Sequence, residues 1–332
     1  MAAGSACWTT ETTARPAVLL IRTHETVNLS DNTCSEENCV KPHNNYRQIL
    51  KFSMEYLPEE YRENDLYELV KAMAGLTVRI SVMYSSKKRM KRWYDTDQLY
   101  PGYECRGSKT CLLGSGRIAD VYQDSTLRKL CQCPQCRSKQ DSGKRETWIV
   151  LVFTATHVVY DDTEGKKSKL KLLYDCEPGG SKLFHGATKR WSSTAGDLCL
   201  LECVTCDKAV AEELSKNIKY FNKLWRSIET KYLEDTKLAE NDRKYQKRLV
   251  IIVSHPHGGD KKISVGHVIS QETRNIKTDF CYNWVYDAQT CKGSSGAPVY
   301  VFGQNWFKEE YVHSGGNTTV NYSTFWSERD KQ

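Results

Sequence analysis

CKGSSGAPVY, residues 291–300, places a pair of serines between two glycines and ahead of a proline. Glycine permits the tight backbone turn that brings neighbouring amide N–H groups towards one point. In such a turn the N–H groups of Gly293 and Ser295 can stabilise an oxyanion, while the Ser295 hydroxyl projects as a nucleophile. Taken alone, the run is equally consistent with a glycine-serine turn between two strands.

Two further stretches supply the groups that a serine nucleophile needs. Residues 153–159, FTATHVV, end an apolar strand with His157, whose imidazole titrates near neutrality and suits a general base. Residues 196–201, GDLCLL, place Asp197 before a second apolar strand, where its carboxylate can accept the imidazole N–H and hold the tautomer. Each residue also has a plainer interpretation, because such a histidine is often structural and an aspartate after glycine is usually a turn residue.

The composition is that of a globular protein with a sizeable core. The 332 residues are 39% apolar, and the net charge of +7 is spread among acidic residues. Residues 87–92, KKRMKR, are the one run that comes near a basic cluster. A nucleic-acid-binding surface needs more basic residues on one face, so we do not expect nucleic-acid binding, with or without zinc.

The apolar run at 17–21 is too short for a membrane span or a signal-peptide core. With fourteen cysteines and no such signal, we expect an intracellular, cytoplasmic protein.

The hydrophobic period changes along the chain. Residues 1–75 predict an N-terminal arm followed by a short helical region, and from residue 76 the period of two is typical of strands. The many short strand candidates up to residue 327, which include RIADVY at 117–122, favour an all-β barrel or sandwich. Two inserts are expected in it, a Cys-rich loop at 101–146 and a charged helix at 207–248 with an apolar stripe.

The Cys-rich loop offers a structural metal site. Cys111, Cys131, Cys133 and Cys136 supply four thiolates, of which the last two form a C-x-x-C pair, and four thiolates suit zinc. The alternative is a set of reduced loop thiols, since no second C-x-x-C lies at the usual spacing. We expect no other cofactor.

Together the three motifs resemble those of one enzyme family. Residues 154–157 (TATH), 197–201 (DLCLL) and 293–298 (GSSGAP) are similar, in this chain order, to the T-A-x-H, D-[IL]-A-L-L and G-x-S-G-x-P motifs of chymotrypsin-like (trypsin-like) serine peptidases. The resemblance covers roughly residues 76–327. It implies two six-stranded antiparallel β-barrels, to which this chain adds an N-terminal helical segment and the inserted helix.

The resemblance also implies a role for each residue. Ser295 is the nucleophile, His157 the general base and Asp197 the residue that orients it, while the amides of Gly293 and Ser295 form the oxyanion hole. Ser294 stands where members made as zymogens carry an aspartate for a newly cut N-terminus, so activation by insertion of that terminus is not expected.

The primary specificity pocket is implied by the same resemblance. Gln289 lies at the pocket-floor position, which removes the aspartate that selects Lys or Arg. Residues 311–317, YVHSGGN, are similar to the G-[IV]-H-x-G-G run of glutamyl endopeptidases and picornaviral-type proteases. Within that resemblance His313 and Thr290 hydrogen-bond a Glu or Gln side chain, and Gly315 belongs to the same pocket run.

The sequence therefore predicts a serine endopeptidase that cleaves peptide or protein substrates through an acyl-enzyme, with a preference for Glu or Gln before the cut. The alternative is a catalytically silent protease fold that serves as a binding module, with the arm and the charged helix contacting a partner.

Overall fold

The computed structural model describes residues 23–25, 27–28, 39, 41–93, 96–123, 131–138, 146–173, 175, 181–237, 248–276, 279–304, 310–324 and 326–327. The α-helices in this part of the chain are α1 (Asn64–Leu76), α2 (Pro134–Ser138), α3 (Asp162–Gly165) and α4 (Lys208–Lys237). Short 3-10 helices cover Ile49–Lys51, Met54–Tyr56, Glu59–Tyr61 and Pro256–Gly258. In these ranges no helix combines the length and the apolar character that a membrane span requires.

The strands of the described residues all pair antiparallel. They are β1 (Thr23–His24), β2 (Val27–Asn28), β3 (Arg47–Gln48), β4 (Thr77–Val82), β5 (Leu112–Gln123), β6 (Trp148–Ala155), β7 (Ser168–Leu172), β8 (Lys182–His185), β9 (Thr188–Ser193), β10 (Leu198–Thr205), β11 (Leu249–Ser254), β12 (Lys262–Ile276), β13 (Asp279–Tyr286), β14 (Val299–Val301), β15 (His313–Gly316), β16 (Asn321–Ser323) and β17 (Trp326–Ser327).

These strands form two curled sheets, which confirms the predicted all-β, two-barrel fold class. The first has eight strands in the order β8-β7-β4-β5-β6-β10-β9, with β2 also pairing β5. The second has nine in the order β1-β15-β16-β13-β12-β11-β14, with β17 on β13 and β3 on β12. Both exceed the expected six strands, in part because the arm contributes the two-residue strands β1, β2 and β3.

The core is continuous between the two sheets and helices α1 and α4. All six residues of β11 are buried, as expected of an apolar strand that is covered on both faces. Helix α4 covers this region with the predicted stripe: Trp225 packs 5.2 Å from Phe302 and Phe221 packs 5.8 Å from Tyr300 between ring centroids. The predicted inserted helix thus runs over Lys208–Lys237, and residues 238–247 of its predicted range lie outside the described residues.

The segment 101–146, expected as a Cys-rich loop, contains the long strand β5 between β4 and β6 of the first sheet. Its sequence starts LLGSG, and glycine lowers strand propensity, so the period of two is hard to read there. A Cβ on Gly114 would lie 2.9 Å from the backbone oxygen of Ser295. Glycine is needed at this position because β5 approaches the serine turn closely.

Candidate active site

Strand pairing brings the candidate base and its carboxylate together. His157 follows β6 and Asp197 precedes β10, and the pairing of Leu198 with Ala155 fixes their register. The backbone N–H of His157 donates to Asp197 Oδ1 at 3.0 Å, and His157 Nδ1 lies 2.7 Å from Asp197 Oδ2. Both side chains are buried. This contact holds the imidazole with Nδ1 towards the carboxylate and Nε2 away from it.

Asp197 is held by further constraints. Its φ of 63° lies in the left-handed region, which aspartate tolerates better than most residues. Ser314 of β15 donates its hydroxyl to Asp197 Oδ2 at 2.5 Å, so a residue of the second sheet supports the carboxylate of the first. Sequence reasoning missed Ser314, because its contact with Asp197 spans 117 positions and no local pattern marks it.

The basic run at 87–92 is not a uniformly exposed patch. Arg89 is 1% exposed, and its Nε and Nη2 donate to the two carboxylate oxygens of Glu164, both at 2.7 Å. Its Nη1 donates to the carbonyl oxygen of His157 at 2.9 Å. Arg89 therefore supports the backbone of the candidate base from the segment that connects β4 to β5.

The turn that carries Ser295 requires its two glycines. Gly293 and Gly296 have φ values of 95° and 83°, which side chains rarely adopt. A Cβ on Gly296 would lie 2.2 Å from Thr154 Oγ1. The hydroxyl of Ser115 in β5 accepts a hydrogen bond from the backbone N–H of His255 at 2.9 Å. The same hydroxyl donates to the carbonyl oxygen of Gly293, also at 2.9 Å. The first sheet thereby fixes the serine turn of the second.

A segment of the chain's own arm occupies the cleft beside this turn. Glu25 accepts a hydrogen bond at its carbonyl oxygen from the N–H of Gly293, and its own N–H donates to Ser295 Oγ at 3.1 Å. On one side of Glu25, β1 pairs antiparallel with β15, and on the other side β2 pairs antiparallel with β5. The arm therefore crosses from the second sheet to the first past Ser295.

The side chain of Glu25 is buried in a pocket of charged and polar groups. His313 Nε2 lies 2.7 Å from Glu25 Oε2, and Tyr286 donates its hydroxyl to His313 Nδ1 at 2.7 Å. Because a carboxylate only accepts, His313 Nε2 carries the proton of this contact, and Nδ1 of a neutral ring then accepts from the Tyr286 hydroxyl. Lys41 donates to Glu25 Oε1 and to Asn321 Oδ1, the latter at 2.7 Å.

Electrostatics favour the ionised carboxylate in this pocket. Burial alone would raise the pKa of Glu25, but His313 and Lys41 outweigh burial and lower that pKa from 4.5 to about 2. Burial lowers the pKa of His313, and the neighbouring Glu25 carboxylate opposes this shift. The Lys41 ammonium, which donates to the other carboxylate oxygen, is a second group that balances the charge of Glu25.

The residues predicted for the pocket are not all placed alike. His313 contacts the Glu25 carboxylate, and Gly315 pairs with His24 on the edge strand. Thr290 donates its hydroxyl to Asn321 Oδ1 at 2.7 Å, the same oxygen that accepts from Lys41, so it supports the pocket through Asn321.

Gln289 differs from the expectation. Its side chain accepts from the backbone N–H of Asn45 and donates to Asn44, both at 2.9 Å, so it holds the arm rather than facing Glu25. The pocket residues that sequence reasoning missed are Lys41, Tyr286 and Asn321. Lys41 lies in a polar stretch some 250 positions from the pocket motif, where no sequence signal marks it.

The cysteines form a four-thiol cluster with one change from the predicted set. Ligand atoms of Cys131, Cys133, Cys136 and Cys206 all lie within 4.8 Å of one another. Cys206, which follows β10, takes the position that the sequence assigned to Cys111. The sequence could not show this, because the pairing of β10 with β6 and β9, not chain spacing, sets where Cys206 lies. The donor set fits a structural zinc ion.

A second cluster was not anticipated. Cys39 and His43 of the arm meet His257 and Cys291, which lie in the connections between strands of the second sheet, and all four ligand atoms are within 4.8 Å of one another. Cys291 is four positions before Ser295 in the chain, so this cluster borders the serine turn.

Half of the chain matches a known protein family. The family model described as "Trypsin-like peptidase domain" matches residues 139–304, a range that includes His157, Asp197 and Ser295. Among solved structures, the chain is similar to the active form of the Rv3671c protease from M. tuberculosis, with 14% identity, 79% of this chain and 82% of that chain covered, and a TM-score of 0.40. It is also similar to Deg5, with 12% identity, coverages of 80% and 90%, and a TM-score of 0.40. No curated protein matches the chain.

Proposed function

Because the chain belongs to the trypsin-like peptidase family, we propose that it is a serine endopeptidase that uses Ser295, His157 and Asp197. The observation that carries the proposal is the arrangement around Glu25. A backbone carbonyl accepts from the Gly293 amide beside Ser295, while the buried His157 and Asp197 make a 2.7 Å contact. A turn with no catalytic role has no need of a carbonyl held against its amide.

The proposed reaction uses the three residues in the roles that are typical of the family. Ser295 Oγ attacks the substrate carbonyl while His157 Nε2 accepts its proton, and Asp197 holds the imidazole through Nδ1. The amides of Gly293 and Ser295 stabilise the oxyanion. His157 then protonates the leaving nitrogen, and water hydrolyses the acyl-enzyme by the reverse proton path.

The pocket favours Glu before the cut, and it favours Glu over Gln. A carboxylate accepts from both the His313 Nε2–H and the Lys41 ammonium. The amide of Gln would turn its NH₂ group towards one of these two donors, which leaves a buried donor unsatisfied. A charged hydrogen bond contributes about 1.5–3 kcal/mol, so we expect a preference for Glu over Gln of about 100-fold in kcat/KM.

The test uses the Glu25→Lys variant, whose arm no longer suits the pocket. We expect a fluorophosphonate probe to label this variant, and neither His157→Ala nor Ser295→Ala in the same background to be labelled. His185→Ala, which changes a histidine of β8, is the matched control and should keep its label. Fluorogenic peptides with Glu, Gln, Lys or Leu before the cut then measure specificity. Absence of labelling in every folded variant would favour the silent binding module, whereas equal cleavage after all four residues would remove the Glu preference.

We also propose a structural zinc ion at the cluster of Cys131, Cys133, Cys136 and Cys206. The proposal is supported by the four thiol ligands, whose atoms lie within 4.8 Å of one another. Native mass spectrometry should find the ion in the wild type and in Cys111→Ser, but not at this site in Cys206→Ser. Equal metal content in all three proteins would refute the site.

A further inference from the structure

The arm lies in the cleft in the manner of a bound peptide. Thr23 pairs with Gly316 and His24 with Gly315, so the residues before Glu25 extend the edge of the second sheet. The chain after it reaches the first sheet, where Val27 pairs with Leu113. Thr26, between these two strands, lies outside the described residues. The described residues on the two sides of the Glu25–Thr26 bond therefore pair with different sheets.

The carbonyl of Glu25 is the group presented to Ser295. Its oxygen accepts from the Gly293 amide, and the nitrogen of the same residue lies 3.1 Å from Ser295 Oγ. The carbonyl carbon is two bonds from that nitrogen and one bond from that oxygen. The N–H and the carbonyl of Glu25 thus both contact the serine turn, which places the carbonyl carbon beside Ser295.

The side chain adds selectivity to this placement. The Glu25 carboxylate is buried and accepts from His313 at one oxygen and from Lys41 at the other. Two charge-assisted bonds select this residue at this position, because an unpaired carboxylate would be costly to bury. A segment that only covered the cleft would not require an acid in the pocket.

We propose that the chain is its own first substrate, and that Ser295 cleaves the Glu25–Thr26 bond within the same molecule. This inference rests on the proposed peptidase function. The Ser295 Oγ–carbon bond forms while the carbon–nitrogen bond to Thr26 breaks, and the serine proton passes through His157 to the leaving nitrogen. Water then hydrolyses the ester, which leaves a carboxylate on Glu25 and restores the Ser295 hydroxyl. Residues 1–25 become a product that fills the cleft until it dissociates.

The experiment follows the full chain after expression. Intact-mass measurement and N-terminal sequencing should show loss of residues 1–25 and a new terminus at Thr26. Ser295→Ala should stay intact, and Glu25→Gln should be cleaved at least about 100-fold more slowly. Glu59→Gln changes an exposed acid of the same region and is the matched control, with cleavage at the wild-type rate.

Two measurements separate this inference from its premises. Cleavage within one molecule predicts a rate constant that is unchanged over a hundredfold range of protein concentration, and no cleavage of Ser295→Ala mixed with wild type. A fluorogenic peptide that ends in the residues of 22–25, RTHE, is offered to Glu25→Lys in parallel. If Glu25→Lys cleaves that peptide while the wild-type chain stays intact, self-cleavage is overturned and the proposed peptidase function stands. Cleavage of neither would overturn both.

A different observation supports a second site. The cluster of Cys39, His43, His257 and Cys291 combines two thiols and two imidazoles, and the two imidazole Nε2 atoms lie 3.2 Å apart. Tetrahedral zinc, with Zn–N bonds of about 2.0 Å, separates two nitrogen ligands by about 3.3 Å. The two sulfur atoms lie 2.7 Å apart. This separation exceeds the disulfide bond length of about 2.05 Å and is shorter than the distance of about 3.8 Å that tetrahedral zinc, with Zn–S bonds of about 2.3 Å, sets between two sulfur ligands, so binding of the ion moves the two thiols apart.

We infer that this Cys₂His₂ cluster binds a zinc ion that ties the arm to the second sheet. Native mass spectrometry should find about two zinc ions per wild-type chain and about one in each of His43→Ala and Cys206→Ser. Cobalt in place of zinc should give the visible absorption of a tetrahedral thiolate site, weakened in His43→Ala. His24→Ala is the matched control and should keep both ions. An unchanged metal content in His43→Ala, or a Cys39–Cys291 disulfide in the freshly purified chain, would overturn the site.

Discussion

Acid should release the arm from the cleft, and Glu25 sets the range of pH. The pKa of Glu25 is about 2 in the docked arm, because His313 and Lys41 outweigh the effect of burial, and 4.5 in the free chain. At 1.36 kcal/mol per pKa unit, this difference contributes about 3 kcal/mol to docking. A depressed pKa means that the contribution is complete above pH 4.5 and is lost as the pH falls towards 2.

The assay is hydrogen exchange in the strand pair β1–β15, measured in the Ser295→Ala background so that the arm stays uncut. We expect protection of Thr23 and His24 to fall by about a hundredfold between pH 5 and pH 2.5, after correction for the intrinsic exchange rate. Glu25→Gln in the same background has no carboxylate to protonate and should lack this change. The same loss of protection in both proteins would assign it to general acid unfolding and refute the argument from Glu25.

Three further predictions concern the surroundings of the cleft. Arg89→Met should lower the free energy of unfolding, measured in urea, by about 3–5 kcal/mol, because it leaves Glu164 buried without its partner. The double variant Arg89→Met with Glu164→Leu should recover part of this loss. Gly296→Ala should lower the free energy of unfolding by about 3 kcal/mol or more, because the new Cβ would clash with Thr154 Oγ1 and the φ of 83° is unfavourable for alanine. A free energy of unfolding within about 1 kcal/mol of the wild-type value would contradict this. Lys41→Met in the Glu25→Lys background should lower kcat/KM for Glu peptides by about 10- to 100-fold and narrow their advantage over Gln peptides, and an unchanged ratio would remove Lys41 from the pocket.

The fold class and the three proposed catalytic residues were accessible from sequence for a physical reason. Each of the three lies at the end of an apolar strand or in a glycine turn, so a short local pattern marks it. Ser314 and Lys41 have no such pattern, because their contacts are made across more than 100 positions of chain. Cys206 was missed for the same reason, since strand pairing decides which thiols meet. The first part of strand β5, LLGSG, was obscured because the glycines that let it approach the Ser295 turn also weaken the strand signal.

A cut after Glu25 would divide the arm into two parts with different roles. Residues 1–25 carry the acid that fills the pocket, whereas Lys41, which binds that acid, stays on the other side of the cut. The part that remains is still attached through the pairing of β2 with β5 and of β3 with β12. A metal ion held by Cys39 and His43 would fix Lys41 from both sides, because these residues lie two positions before and after it. Loss of residues 1–25 therefore empties the pocket while leaving its cation in place, so the next acidic peptide meets the same two donors that Glu25 met.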